Sequence, residues 1–160
     1  MSRRPSPLLA LPLLFLLPAC SAEEPETQEP VNICENFDTP YDDIKVGLTK
    51  PGDGATVQIE LVTLSPAEPA EDVENVWTVK LMDMSDAPMP GATITGVLPY
   101  MPDHGHGAQE PPTAGATSAA GEVEIQNLRF HMPGVWTVTF DVEESQTVTD
   151  AVTFGVCIGS

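Results

Sequence analysis

The stretch Val135-Trp136-Thr137-Val138-Thr139-Phe140-Asp141-Val142 decides the fold class, because apolar and polar residues alternate along it without a break. Successive side chains of an extended strand point to opposite faces, so this pattern buries one face and leaves the other to solvent. The stretch therefore predicts a half-buried strand, with Trp136, Val138, Phe140 and Val142 facing inward.

The same alternation recurs along the chain and predicts about seven strands in all. In chain order, the other strands are centred on Ile44, Val46 and Leu48; on Val57, Ile59 and Leu61; on Trp77, Val79 and Leu81; on Ile94, Leu98 and Tyr100; on Val123 and Ile125; and on Val148, Val152, Phe154 and Val156. Turns rich in Pro and Gly separate them, at 51–54, 88–91 and 132–134. Short alternating strands with frequent turns predict an all-β protein, an antiparallel β-sandwich.

The N-terminus is typical of an export signal. Arg3 and Arg4 precede the apolar run Leu8–Leu17, which is too short to cross about 30 Å of hydrocarbon as a helix. Residues 1–19 are therefore predicted to be a lipoprotein signal peptide, and Cys20 is predicted to carry lipid. The alternative is an ordinary signal peptide followed by an incidental cysteine.

Residues 20–33 follow as the predicted lipidated cysteine and a disordered, acidic, proline-containing tether. The sandwich domain is predicted to occupy residues 34–160. We expect the protein in the cell envelope, anchored in a membrane through its lipid. Ser21 after the anchor favours the outer membrane, or its periplasmic side, by similarity to lipoprotein sorting signals.

The charge of the chain excludes nucleic acid as a partner. Twenty-four acidic residues stand against 6 basic ones, for a formal net charge of −18. Binding to phosphates requires Lys and Arg, whereas an acidic surface attracts cations. High solubility alone would also explain this balance.

Two cysteines besides Cys20 form an even pair. Cys34 and Cys157 lie near opposite ends of the predicted domain, in a protein expected outside the cytoplasm. An oxidising compartment favours a disulfide between them. Two free thiols, or two metal-binding thiols, are the alternatives.

One long connection, Pro102 to Ala120, has no strand pattern, and metal-ligand residue types lie at its start. The candidate ligands are Met101, His104 and His106. Imidazole binds Cu(II) and Zn(II), and a thioether suits Cu(I). His131 and Met132 are secondary candidates, because antiparallel strands reverse direction and we expect the two turns at opposite ends of the sandwich. His131 could join the first cluster only if the long loop folds back along the sandwich. Alternatively, the histidines are polar loop residues, and Met101 and Met132 pack in the core.

Catalysis is not expected. The chain has no Gly-x-Ser-x-Gly elbow, no phosphate-binding glycine loop and no His-Glu-x-x-His helix. Asp103 beside His104 could form part of a hydrolytic pair, but no serine or cysteine nucleophile accompanies it.

Several motifs between Val76 and Val142 resemble the YtkA-like family, which is related to FixH-like proteins. They are Trp77-Thr78-Val79-Lys80-Leu81-Met82-Asp83, Pro88-Met89-Pro90-Gly91-Ala92, Met101-Pro102-Asp103-His104-Gly105-His106-Gly107 and Phe130-His131-Met132-Pro133-Gly134-Val135-Trp136. The resemblance implies an immunoglobulin-like antiparallel β-sandwich in the cell envelope, associated with copper handling. A loop richer in histidine than those of relatives would favour Cu(II) or Zn(II) over Cu(I). The runner-up function is a structural or protein-interaction module that binds an envelope protein without metal.

Overall fold

The computed structural model describes residues 32–145 and 148–159, which form nine strands and one short 3-10 helix. The helix is Ile33–Asn36. The strands are β1 (Thr49–Pro51), β2 (Gln58–Ser65), β3 (Asn75–Met82), β4 (Thr93–Met101), β5 (His106–Gly107), β6 (Thr113–Ala114), β7 (Glu122–Leu128), β8 (Gly134–Ser145) and β9 (Val148–Ile158). The predicted signal peptide, Cys20 and the tether up to residue 31 lie outside the described residues.

Two antiparallel sheets pack face to face. One has the order β1-β2-β3-β7-β6 and the other β5-β4-β8-β9. Their inner faces meet in one core, where the rings of Trp77 and Phe140 lie 6.5 Å apart, centroid to centroid. The stretch 135–142 forms the middle of β8, and all four side chains predicted to face inward are buried. The predicted sandwich is confirmed. No helix among residues 32–145 and 148–159 is long and apolar enough to span a membrane.

The sequence misplaces the first strand. Residues 44–48 form no strand, and β1 begins only at Thr49. Gly47 adopts a φ of +88°, and the amide of Leu48 donates a hydrogen bond to the carbonyl of Lys45. A turn therefore occupies this segment, and Val46 points to solvent.

Strand β4 also departs from the predicted alternation. The register against β8 shifts between Ile94 and Gly96, which is a β-bulge. A bulge adds one residue and so exchanges the two faces beyond it. Leu98 and Tyr100, predicted to belong to the core, are exposed, whereas Met101 is fully buried.

The N-terminal segment is held along the outer edge of β9. Cys34 and Cys157 form a disulfide with a Cα–Cα distance of 5.9 Å, as predicted. Farther along, the amide of Asp42 donates to the carbonyl of Gly155, and the Gly155 amide donates to the Asp42 carboxylate. Asp42 also forms an ion pair with Lys50 at 2.8 Å. The longest edge strand is thus covered by the chain itself.

Candidate functional site

The turn after β4 presents two histidines. The amides of His104 and Gly105 both donate to the carbonyl of Met101, and Gly105 adopts a φ of +72°, which a glycine tolerates at little cost. The chain then returns as β5, in which His106 pairs with Met101. His104 is left exposed and His106 half-buried.

The connection between β7 and β8 supplies the third histidine of the chain. His131 and Met132 lie in this short segment, and both are half-buried. The indole Nε1 of Trp136 donates a hydrogen bond to the Met132 carbonyl at 3.1 Å, which ties the turn to the start of β8. The sequence predicts Trp136 only as a core residue. Its hydrogen bond to the turn that carries His131 and Met132 is signalled only by its position five residues after His131.

All three histidines converge at one end of the sandwich, and we call His104, His106 and His131 the histidine cluster. The ring centroids of His106 and His131 lie 5.1 Å apart, and those of His104 and His106 lie 5.9 Å apart. Trp136 lies beneath the pair, with its ring centroid 5.8 Å from His106 and 5.0 Å from His131. Phe37, in the N-terminal segment, lies beside His104, with 6.4 Å between the two ring centroids.

This convergence differs from the expectation that the two turns lie at opposite ends. The end of β4 lies beside the start of β8, where Tyr100 pairs with Thr137. The long loop is not structureless but contains β5 and β6, which pair antiparallel with β4 and β7. These two short strands carry the chain back to the start of β7, so that β7 ends at the same end of the sandwich as β4. The long loop thus folds back along the sandwich, which is the condition under which His131 can join the first cluster.

The two methionines lie in different surroundings from the histidines. Met101 is fully buried in the core, and its terminal methyl fills the place that a side chain at Gly134 would occupy. Its carbonyl, rather than its sulfur, organises the turn that carries His104. Met132 is half-buried and packs against the core cluster. The structure therefore brings the imidazoles together, and of the two candidate thioethers only Met132 is partly accessible.

One imidazole of the cluster lies beside a backbone carbonyl. His106 Nδ1 lies 3.3 Å from the carbonyl oxygen of Gly107. A carbonyl can only accept, so in the tautomer that makes this hydrogen bond Nδ1 carries the proton and the lone pair of the neutral ring is on Nε2. A backbone carbonyl bonded to one nitrogen is the usual arrangement behind a metal-binding histidine.

The separation of His106 and His131 fits two ligands of one ion. A metal about 2 Å from a nitrogen lies about 3 Å from the centroid of that ring, so centroids 5.1 Å apart leave room for one ion between the rings when a nitrogen of each faces it. Within residues 32–145 and 148–159, however, no three His, Cys, Asp or Glu side chains are arranged to hold a metal. A third ligand requires rotation of a side chain, and His104 is exposed.

A groove of about 450 Å³ opens beside His131, with Asp72, Glu110 and Arg129 along its walls. The groove gives solvent access to the imidazole of His131, which also packs beside the rings of His106 and Trp136. Two of these three charged groups are acidic, which favours the approach of a cation.

Comparison with known proteins identifies the domain. A search of curated proteins and a search of solved structures each give no match. The family model described as YtkA-like matches residues 53–141. This range begins before the motifs noted in the sequence and includes the histidine cluster. Because this match covers more than half of the chain, the protein belongs to the YtkA-like family.

Proposed function

We propose that this chain is an envelope lipoprotein, anchored through lipid at Cys20, whose YtkA-like domain binds copper or a similar metal ion at the histidine cluster. One observation carries the metal-binding part: two histidines from separate connections lie with ring centroids 5.1 Å apart.

In this proposal His106 and His131 are the principal ligands. His104 completes the site by rotating from its exposed position, and Met132 offers a thioether for the reduced ion. Met101, although a candidate from sequence, contributes through its carbonyl, which accepts from the amides of His104 and Gly105. Histidine ligands accept Cu(II) and Zn(II) as well, so the donor set defines a class of borderline metal ions rather than copper alone.

Two further features of the domain support reversible binding. The half-buried rings and the groove beside His131 leave the site open to solvent. The acidic surface raises the local concentration of cations. A site with this access suits uptake and transfer of an ion better than permanent structural binding.

The alternative function is a structural or protein-interaction module without metal. Two observations favour it. No group of three metal ligands is preformed among the described residues, and the Met101 side chain is fully buried in the core. On this alternative the histidines form a small aromatic and polar cap over Trp136.

Metal titration separates the two functions. The purified full chain, after alkylation of free thiols so that Cys20 adds no ligand, is titrated with Cu(II), and with Cu(I) against a competing chelator. We expect one site, and its loss in a His106→Ala, His131→Ala double variant. Gln126→Ala, an exposed change on β7 outside the groove, is the control. No binding by the unaltered chain would contradict the proposal and favour the interaction module.

The membrane anchor is tested independently of the metal. Cys20→Ser is expected to move the protein from the membrane fraction to the soluble fraction and to abolish incorporation of labelled fatty acid. A Cys20→Ser protein that stays in the membrane fraction would contradict lipid anchoring at this residue.

A further inference from the structure

We infer that Trp136 is a positioning residue for the metal site, acting on His106, His131 and the Met132 turn together. This inference rests on the proposed metal binding. Its basis is that one side chain contacts both principal ligands and also hydrogen-bonds to the backbone beside one of them.

The first part of the argument is the ring geometry. The planes of His106 and His131 are inclined to the indole plane by 72° and 75°, both in the edge-type arrangement that aromatic pairs prefer. The two imidazoles therefore share one rigid neighbour. Rotation of either ring away from the other would break its contact with the indole.

The indole is itself enclosed on all sides by the fold. Trp136 is fully buried in β8, which lies between β4 and β9 in its sheet, and Phe130 packs against it at 5.6 Å. A ligand that rests on such a group loses less conformational entropy when the metal binds, because its position is already restricted.

The second part is the hydrogen bond from Nε1 to the Met132 carbonyl. This bond holds the turn that carries His131 and Met132 at a fixed distance from the ring on which His131 rests. Loss of the N–H group would free the turn while leaving a large aromatic ring in place. Substitutions in groups that orient metal ligands typically weaken binding by about 10- to 100-fold.

The second tryptophan of the chain is a matched control. Trp77 is also fully buried, but within the described residues its Nε1 has no hydrogen-bond partner. Its ring packs on Phe140 in the core, and no ring contact joins it to a histidine there. Substitution of Trp77 therefore removes the same chemical group without touching the cluster.

The test compares Trp136→Phe with Trp77→Phe in the thiol-alkylated full chain, titrated with Cu(II). We expect Trp136→Phe to lower the affinity by about tenfold or more and Trp77→Phe to leave it unchanged. In Trp77→Phe the only tryptophan is Trp136, and its fluorescence, excited selectively over that of tyrosine, should be quenched with the same midpoint as the binding curve. In Trp136→Phe the remaining emission should respond much less.

The outcomes distinguish this inference from the proposed function. If the unaltered chain binds Cu(II) and Trp136→Phe binds with the same affinity, the positioning role is overturned and the metal site stands. If the unaltered chain does not bind, the proposed function fails and this inference fails with it. If Trp136→Phe does not fold, a tryptophan isostere with sulfur in place of N–H, incorporated into Trp77→Phe, keeps the ring shape. Wild-type affinity in that protein would overturn the role of the hydrogen bond.

Discussion

The imidazole ring centroids of His106 and His131 lie 5.1 Å apart, although strands β6 and β7 separate the two residues in the chain. The candidate site therefore belongs to two connections of the fold and not to one flexible loop. Its geometry is fixed by the pairing of β4 with β8, which places the end of one strand beside the start of the other.

His131→Ala is expected to weaken Cu(II) binding more than His104→Ala does. His131 lies closer to His106 than His104 does, and it rests on Trp136, whereas His104 is exposed. Titration of the two single variants side by side measures the difference. A larger loss in the His104 variant would place the site in the 101–107 turn alone.

Asp150→Asn is expected to destabilise the fold by about 1–2 kcal/mol at neutral pH. Burial raises the pKa of the Asp150 carboxyl, but hydrogen bonds from Gly54, Thr56 and Ala151 outweigh it and lower the pKa from 3.8 to about 2. A lowered pKa stabilises the folded state above the unfolded value, and this contribution is lost as the pH falls from about 4 to about 2.

Urea unfolding of the Asp150 variant from pH 7 to pH 2 checks this expectation. The unaltered protein should lose stability steeply below pH 4, and Asp150→Asn should lose less over the same range. Asp103→Asn, at an exposed position, should leave the profile unchanged. Parallel profiles for all three proteins would show that Asp150 does not carry this acid sensitivity.

Gly134→Ala is expected to destabilise the domain by roughly 1–3 kcal/mol. Gly134 has a φ of +128°, and an added Cβ would collide with the terminal methyl of Met101 and press on Phe37. Gly91→Ala is the matched control, because nothing lies within 4 Å of its added Cβ. Thermal unfolding of both variants measures the difference, and equal melting temperatures would contradict the close packing at Gly134.

Replacement of both disulfide cysteines, Cys34→Ser with Cys157→Ser, is expected to lower stability by about 5 kcal/mol in the chain-entropy model. The crosslink spans 123 residues, nearly the whole domain, so it restricts the unfolded chain strongly. Denaturant midpoints of the double variant and the oxidised protein measure the loss. A change below about 1 kcal/mol would mean that the unfolded chain keeps its ends close without the bond.

The sandwich could be predicted from the sequence because a strand that buries one face has apolar residues at every second position. This alternation is clear in β3 and β8. The same rule fails where the backbone interrupts it. Beyond the bulge at Gly96 the faces of β4 exchange, so Leu98 and Tyr100 reach solvent. Apolar periodicity does not place the bulge, although Gly96 is a residue type that often marks one inside a strand.

The candidate site was predictable in its residue types but not in its assembly. Imidazole side chains can be found in the sequence, but their convergence depends on β5 and β6, two strands of two residues each. Strands this short leave no periodic pattern. Their directions decide at which end of the sandwich His131 lies.

The contact of Asp42 with Gly155 has a consequence for association between molecules. β9 is an edge strand of 11 residues, long enough to template the addition of a foreign strand. Because Asp42 already occupies the amide and carbonyl of Gly155 at mid-strand, another copy could dock there only by displacing it. The segment around Asp42 thus opposes edge-to-edge strand addition between molecules, which is the first step of aggregation for many β-sheet proteins.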